Sequence, residues 1–387
     1  MSNSLKKLKG ITWGHSRGIV PLQACSQRIS ELYPDIQIHW RQRTLQEFAD
    51  FPIEKLTEHY DLLVIDHPWV GCAAEINSVL PLDAYLSEDF LENQQKNQVG
   101  GSHGSYNYKG KQWALAIDAA APVASYRKDL FEHHEITVPT RWDQVLEMAK
   151  KGKVAAPGIP IDLLMNLYMF CQVHGETPFK LDDRIASVEV TEKALETMKE
   201  FYSLLDSELF TANPIKVAEL MSSTNKYWYC PFAYGYSNYS RSGYAKYPLR
   251  YTNIVNFKSV PMRSTLGGTG LAISSFSSHR KEALLFAELL ASEQYQSTQY
   301  VLNGGQPGHR KAWLDITNNA LTDNFFFNTI ATLDNAYLRP RYYGYLEFQD
   351  RAGDYVQDFL LGKRSLTLVI EKINELYRQS KNQIHEQ

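Results

Sequence analysis

Polar side chains follow the first predicted strand of this 387-residue chain, where they could bind a small molecule. Trp13 ends the strand, and His15 and Arg17 come just ahead of a predicted helix. A helix N-terminus offers free N–H groups with a partial positive charge, and Arg17 adds a full charge. The segment could therefore hold an anionic or hydroxyl-rich group. The alternative interpretation is an ordinary strand-to-helix turn with a solvent-facing arginine.

A second polar segment, Asp66, His67 and Trp69, follows the continuous apolar run from Asp61 to Ile65. A carboxylate can accept hydrogen bonds from two sugar hydroxyls, and an indole can stack on the face of a sugar ring. These residue types therefore suit a ligand site at the end of a buried strand. The alternative is that Asp66 caps the following helix.

The first segment also permits an enzymatic hypothesis. Gly14 to Gly18 fits the pattern G-x-S-x-G between a strand and a helix, which is the setting of a nucleophile elbow. Ser16 would be the nucleophile, with Asp118 and His309 as examples of downstream partners. The difficulty is that no earlier strand exists to supply the second oxyanion-hole N–H. We therefore keep a serine hydrolase as an alternative.

Tyrosines are concentrated in one short part of the chain. Eight of the 24 lie between Tyr227 and Tyr251. Aromatic rings with a polar tip suit a pocket that must be dry and still directional. The candidates for ligand contact are Trp228, Tyr229, Tyr234 and Tyr236. The alternative is a packed loop in which the tyrosines only fill space.

Glycines precede another predicted strand, Leu271 to Ser274. The segment Gly267 to Gly270 is predicted to be a turn whose backbone, at Gly268 and Thr269, could approach a ligand closely. It precedes a strand rather than a helix, which is wrong for a phosphate-binding loop or a dinucleotide fingerprint. A plain turn without a ligand is the alternative.

The composition excludes several classes of protein. A net charge of −3 argues against a nucleic-acid binder, and no run of 18 apolar residues predicts a membrane span. No motif predicts a cofactor or a metal, since the histidines show no H-E-x-x-H spacing. The four cysteines form no C-x-x-C pair and predict no disulfide, so we expect small buried apolar residues at the positions Cys25, Cys72, Cys171 and Cys230.

The predicted elements that position these side chains begin with an α/β pattern. Strands Leu8–Trp13, Ile36–Trp40 and Asp61–Ile65 alternate with helices, the first of which is predicted from Pro21 to about Leu32. This order predicts a lobe with a parallel sheet. Further helices are predicted at Ile161–Val173, Glu192–Leu205, Arg280–Ser292 and Ser365–Gln379, together with one that begins at Trp142 after a possible N-cap at Thr140.

Two long segments resemble a known family in the same order. The stretch from Tyr106 to Gly152 combines a turn at Lys109-Gly110-Lys111 with YRKDLF and, further on, PTRWD; the stretch from Gly267 combines GGTGLAIS, HRKEA and GGQP. Both resemble family 1 of the bacterial extracellular solute-binding proteins, the carbohydrate-type substrate-binding proteins of ABC transporters.

This resemblance implies an α/β fold of the periplasmic-binding-protein type (type II, large cluster). It has two lobes, each a mixed sheet flanked by helices, with a hinge between them. One lobe would comprise residues 1–118 and 264–318, and the other 119–263 and 319–387. Asp118 would lie at the first crossing, where the family often has a ligand-facing residue.

The same resemblance implies capture of a small polar ligand, a sugar or a small carboxylate, in a cleft between the lobes and its delivery to an ABC permease. No catalysis, cofactor or metal is expected, and the protein would work as a monomer without membrane insertion or nucleic acid. The family is periplasmic, but the N-terminal sequence MSNSLKKLKGITW lacks an apolar signal core. A cytoplasmic ligand sensor of the same fold is therefore a second alternative.

Overall fold

The computed structural model describes residues 5–44 and 53–382. Its strands are β1 (Lys6–Trp13), β2 (Ile36–Arg43), β3 (Leu62–Ile65), β4 (Asn107–Tyr108), β5 (Lys111–Gln112), β6 (Leu115–Ala120), β7 (Pro122–Tyr126), β8 (Tyr229–Tyr234), β9 (Arg250–Thr252), β10 (Asn256–Phe257), β11 (Val260–Pro261) and β12 (Gly267–Ile273). Its α-helices are α1 (Ser16–Leu32), α2 (Ile53–Thr57), α3 (Trp69–Glu75), α4 (Glu88–Lys96), α5 (Lys128–His133), α6 (Trp142–Lys150), α7 (Pro160–Val173), α8 (Val188–Tyr202), α9 (Pro214–Ser223), α10 (Arg280–Ala291), α11 (Glu293–Tyr295), α12 (Arg310–Leu314), α13 (Ile316–Leu321), α14 (Phe325–Asp334), α15 (Tyr345–Leu360) and α16 (Leu366–Asn382).

The described chain divides into two compact units, and each is assembled from two separate segments. Unit 1 contains the residues up to Ala120 together with Gly267–Leu321, and unit 2 contains Ala121–Leu266 together with the residues from Thr322 onward. The lobe boundaries near residues 118, 263 and 318 stay a prediction.

Unit 1 is built on a sheet of mixed orientation. Five strands pair in the order β2-β1-β3-β12-β6. β1 is parallel to β2 and β3, whereas β12 runs antiparallel to both β3 and β6. All four residues of β3 are buried, as expected for a strand covered on both faces. The predicted α/β lobe is therefore confirmed, and its sheet carries one antiparallel strand in the interior.

Helix α1 begins earlier than the sequence pattern predicts. The prediction placed its first residue at Pro21, but the helix begins at Ser16 and contains Pro21 in its interior. His15 is the N-cap, and its ring Nδ1 accepts the backbone N–H of Arg17 at 3.0 Å. A side-chain acceptor at this position satisfies one of the free N–H groups of the first turn, which accounts for the earlier start.

The glycines after Leu266 form part of a strand, so the predicted turn at Gly267–Gly270 is wrong. β12 begins at Gly267 and pairs with β6 through Gly267↔Ala120 and Gly268↔Ala119. A Cβ atom added to Gly268 would lie 2.3 Å from the Asp118 carbonyl oxygen, and φ at Gly268 is +100°. The glycine is needed for close approach of two strands within the sheet.

Unit 2 is built on a smaller sheet with the order β8-β7-β9. β7 runs antiparallel to both neighbours, and Val154 adds a parallel bridge to Tyr229 at the amino end of β8. The chain beyond Val154 therefore runs in the same direction as β8. α7 begins six residues after this bridge, at Pro160.

Aromatic rings fill much of the core of unit 2. Trp142 packs against Phe170, Phe201 and Phe232 with ring centroids 5.1 to 6.1 Å apart. A second group surrounds Phe179 and contains Tyr168, Tyr345, Phe348 and Tyr377, with centroids 5.2 to 5.8 Å from it. The contacts of Phe179 are all edge-to-face, whereas Trp142 meets Phe170 edge-to-face and stacks on Phe232.

Most other predicted elements are present with shifts of a few residues. The helices at 161–173, 192–205, 280–292 and 365–379 correspond to α7, α8, α10 and α16. Thr140 is not the N-cap of α6: Arg141 is, and the Gln144 side chain accepts the backbone N–H groups of both residues. All four cysteines are free and buried, as predicted.

Candidate functional site

The predicted site residues of unit 1 meet at one edge of its sheet. β1 and β3 are parallel, and β6 shares their direction because both β3 and β6 are antiparallel to β12. The carboxyl ends of these three strands and the first residues of β12 therefore lie at the same edge. Ligands of open α/β sheets bind beyond such an edge. The residues placed there are Trp13, His15, Arg17, Asp66, His67, Trp69, Asp118, Gly268 and Thr269.

Arg17 and Asp118 form a buried, bidentate ion pair. The Arg17 Nε donates to Asp118 Oδ2 at 2.8 Å, and one terminal nitrogen donates to Oδ1. The side chains are 4% and 0% exposed. Burial raises the pKa of the Asp118 carboxyl, and the charge of Arg17 acts in the opposite direction. Both residues are thus engaged with each other in this structure.

His15 is uncharged at neutral pH. Burial lowers the pKa of its imidazole to about 4, and the positive charge of Arg17 adds to the effect. A neutral ring leaves Nδ1 available to accept the Arg17 N–H, in agreement with the capping bond.

The segment after β3 combines a carboxylate, an imidazole and an indole. Asp66 Oδ1 accepts the backbone N–H of His67 at 2.8 Å and lies 3.2 Å from its ring Nδ1. His67 is almost wholly buried, whereas the Asp66 side chain is 25% exposed. Trp69 begins α3 and is largely buried. Asp66 thus presents a carboxylate that is both held in place and accessible.

Trp13 and Thr269 are buried at this edge in different ways. The Trp13 ring belongs to the core of unit 1 and lies against Gly18, where an added Cβ would come within 2.5 Å of the indole. Thr269 pairs with Asp118 in the sheet, and its buried Oγ1 has no hydrogen-bond partner among the described residues.

The tyrosine-rich segment of unit 2 separates into two groups. Tyr234 ends β8 opposite Pro122, and Tyr236 follows two residues later. Trp228 and Tyr229 lie at the other end of β8, roughly 15 Å away at the usual rise per residue. Trp228 stacks on His134 with ring centroids 4.5 Å apart. The structure therefore does not bring the two groups together.

Sequence reasoning missed Asp162, which lies in the first turn of α7. It is the only charged residue in PIDLLMNLYMFCQV, and that isolation was the available signal. The residue is 7% exposed, and its Oδ2 has no hydrogen-bond partner in the described part of the chain. Burial raises the pKa of the carboxyl to about 8.

Two of the proposed hydrolase residues have other partners in this structure. The Asp118 carboxylate is held by Arg17, and the Nε2 of His309 lies 3.3 Å from Asn93 Oδ1. Within residues 5–44 and 53–382, no group of three or more histidine, cysteine or acidic residues could hold a metal ion. No helix in those same ranges combines the length and apolarity that a membrane span requires.

Comparison with known proteins identifies relatives of the chain. The profile of the family described as bacterial extracellular solute-binding protein matches residues 33–297. A maltotriose-binding protein from Pyrococcus abyssi is 24% identical over 129 residues, which are 33% of this chain and 27% of the relative. The match thus spans about a quarter of that relative's length.

Solved structures share the fold over nearly the whole chain. Maltose-bound MalE3 from T. maritima superposes with a TM-score of 0.84 at 19% identity, covering 96% of this chain and 99% of its own. An ABC transporter solute-binding protein from Agrobacterium radiobacter K84, in complex with ribitol, gives 0.82 at 20%, with 98% and 100% covered. One from Agrobacterium vitis S4 with bound D-mannitol gives 0.79 at 14%, with 98% and 99% covered. These similarities show a two-lobed α/β fold.

Proposed function

Because this chain belongs to the family of bacterial extracellular solute-binding proteins, we propose that it captures a small polyhydroxyl solute for an ABC transporter. The solute would be a sugar or a sugar alcohol, and it would be released unchanged. Each unit would contribute contacts, so that only the ligand-bound form engages both. Binding would then favour the closed form by the difference in contacts between the two forms.

The observation that carries this proposal is the position of the polar edges relative to the chain crossings. In unit 1, the predicted residues cluster where β6 ends at Ala120 and β12 begins at Gly267. In unit 2, Tyr234 lies opposite Pro122, the first residue of β7. Both polar edges are therefore adjacent to the points where the chain passes from one unit to the other.

The residue types at these edges favour hydroxyl groups over a carboxylate ligand. Asp66 offers an accessible carboxylate, and Trp69 and Tyr234 offer aromatic rings. Arg17 would be the natural partner of an anionic ligand, but its guanidinium already holds Asp118 through two hydrogen bonds. The maltose, ribitol and D-mannitol bound by the structural neighbours agree with a polyhydroxyl ligand.

The partner and the location follow from the same proposal. We expect a monomeric protein that works outside the cytoplasmic membrane and hands its ligand to an ABC permease. Fractionation of native cells tests this against the alternative of a cytoplasmic sensor. A monomer in the exported fraction is the expected result; a protein confined to the cytoplasm would contradict the transport role.

The binding role is tested by isothermal titration against sugars, sugar alcohols and small carboxylates, followed by X-ray scattering with the best ligand. We expect saturable binding of a polyhydroxyl compound and a smaller radius of gyration in its presence. Binding only of carboxylates would overturn the ligand class. Absence of binding to every compound, or no compaction with a bound ligand, would contradict the capture mechanism.

A further inference from the structure

Asp162 has no hydrogen-bond partner within the described protein although it is almost wholly buried. Its side chain is 7% exposed, and Oδ2 is completely enclosed. Buried polar groups nearly always have a partner, because leaving one unsatisfied is costly. A protein that retains such a group has usually kept it for a purpose other than stability.

The neighbours of Asp162 have their hydrogen bonds satisfied without it. The Tyr202 hydroxyl donates to the Pro157 carbonyl at 2.7 Å and accepts from Asn166 Nδ2 at 2.9 Å. The Cys230 thiol takes a hydrogen bond from the backbone of Phe232. These side chains lie close enough to Asp162 to feel its charge, yet none of them bonds to it. A partner for the carboxyl must therefore come from outside this set.

The helix that carries Asp162 also contacts the segment where the chain crosses between the units for the second time. The chain at Val154 runs parallel to β8, and α7 begins six residues after this bridge, at Pro160. The Thr265 hydroxyl donates to the Met165 carbonyl at 3.4 Å, which holds the next turn of α7 beside the second crossing. Asp162 precedes Met165 by three residues and therefore lies about one helical turn from this contact.

The loop before α7 is held by hydrogen bonds and by a close backbone approach at Gly158. Gln357 Nε2 donates to the carbonyls of Gly158 and Phe210 at 2.8 and 2.9 Å. The Gly158 N–H donates to Ala212, and a Cβ added to Gly158 would lie 2.6 Å from the Leu209 carbonyl oxygen. Preorganised polar groups of this kind are typical of binding sites.

We propose that Asp162 is a ligand-contacting residue of unit 2 and that its neutral carboxyl group exchanges hydrogen bonds with a hydroxyl group of the ligand. A carboxylic acid both donates and accepts, and so does a hydroxyl. A carboxylate ligand only accepts, and an ammonium group only donates. The site is therefore matched to a polyhydroxyl compound. This inference rests on the proposed function and adds a residue and a ligand group to it.

The test compares two substitutions of Asp162 with the same pair at Asp143. Asp143 is also an aspartate in the first turn of a helix of unit 2, but it is exposed and paired with Arg141. The probes are maltose, maltotriose, ribitol and D-mannitol, titrated into the full-length protein. Melting temperatures are measured without ligand.

We expect D162L to weaken binding of the recognised probe by about 10- to 100-fold, because a hydrogen bond to a buried group is lost. D162N keeps a donor and an acceptor, so its affinity should stay within about fivefold of the wild type. Both variants should melt at a higher temperature than the wild type, because a buried group without a partner is removed or made permanently neutral. The Asp143 variants should bind like the wild type.

Two other outcomes have distinct meanings. Wild-type affinity in D162L, or a lower melting temperature in both Asp162 variants, would overturn the inference and assign Asp162 a structural role, while the proposed function would stand. A wild-type protein that binds none of the four probes nor any other polyhydroxyl compound would contradict the proposed function, and the inference would fail with it.

Discussion

The guanidinium of Arg17 bonds to both carboxylate oxygens of Asp118, although the two residues are 101 positions apart in the chain. Arg17 belongs to the first turn of α1, and Asp118 belongs to β6 two residues before the chain leaves unit 1. The pair therefore ties the first helix of the chain to the strand that leads out of the unit. Both side chains are buried, so neither is screened by solvent.

Removing one partner of this pair should destabilise unit 1 strongly. We expect R17A and D118A each to lower the free energy of unfolding by about 3–5 kcal/mol, because an unpaired charge would stay buried. The double variant R17M/D118L should lose much less than the sum of the single variants. Urea titration followed by circular dichroism measures this. If the double variant loses the full sum of the two single losses, the two side chains act independently.

The exposed pair of Arg141 and Asp143 provides the control for that experiment. Its side chains are 55% and 66% exposed, so water and salt screen the attraction. R141A should leave the unfolding midpoint almost unchanged.

Gly268 should tolerate no side chain. A Cβ would lie 2.3 Å from the Asp118 carbonyl oxygen, which belongs to the backbone and cannot move aside cheaply. G268A should therefore cost about 1–3 kcal/mol more than a glycine-to-alanine change in open space. Gly110 is the matched control, since its φ is +76° and nothing lies within 4 Å of its added Cβ. Equal losses in G268A and G110A would show that the backbone conformation, not the close approach, is decisive.

Asp162 should make the stability of the protein fall as the pH rises. Its pKa is about 8 in the folded protein and near 3.8 when unfolded, so the folded state binds the extra proton between these values. The contribution of Asp162 to the free energy of unfolding is therefore greatest below about pH 4 and falls as the pH rises to about 8. The neighbouring Tyr202 and Cys230 stay neutral in this window because burial raises their pKa values. Thermal melts of wild type and D162N from pH 4 to 9 should diverge steadily. Parallel curves would contradict the buried-acid assignment.

His15 should have the opposite pH dependence. Its pKa falls from 6.5 to about 4 on folding, so the unfolded state binds the proton first as the pH drops. The stability that neutral His15 contributes is fully present above about pH 6.5 and is lost as the pH falls to about 4. H15N retains a capping side chain and should abolish this component, while H15A should also lose about 1 kcal/mol of capping energy. An unchanged acid limb in H15N would refute the assignment.

The two ends of β8 should respond differently to substitution. If the ligand binds at the edge that carries Tyr234, then Y236A should weaken binding by about tenfold or more. Trp228 lies at the far end, where it stacks on His134 and donates from Nε1 to Asn225. W228A should lower the melting temperature with little change in affinity. Calorimetric titration and melting of both variants test this; a large loss of affinity in W228A alone would reverse the assignment.

Local sequence patterns predicted the elements of unit 1 well because strands such as Leu62–Ile65 are short apolar runs with clear ends. The patterns failed where a side-chain contact or a strand distant in the sequence determines where an element begins. His15 starts α1 early because its ring caps the helix, and imidazole is an uncommon cap. The strand at Gly267 depends on pairing with β6, which is about 150 positions earlier. No local pattern contains that partner.

The candidate site was predictable in part for the same reason. Residues that follow strands, such as Asp66 and Arg17, could be identified because strand ends of a parallel sheet share one edge. The pairing of Arg17 with Asp118 could not be predicted. This pairing matters because it occupies hydrogen-bonding groups that either residue could otherwise offer to a ligand. Tyr234 and Trp228 looked equivalent in one aromatic segment until β8 separated them. Asp162 was marked in the sequence only by its isolation in an apolar helix, and its burial without a partner became visible only in the structure.

The interior position of β12 in the sheet of unit 1 has a consequence for synthesis on the ribosome. Synthesis of β6 is complete at residue 120. β12, which pairs with both β6 and β3, begins only at residue 267. At ordinary translation rates the nascent chain waits roughly 7 to 30 s for that strand. During this interval, β3 and β6 each present an unpaired apolar edge, which is the condition that chaperones recognise. The second segment of unit 1 in turn interrupts the sequence of unit 2. Unit 2 therefore cannot complete its fold until its last helices have been synthesised.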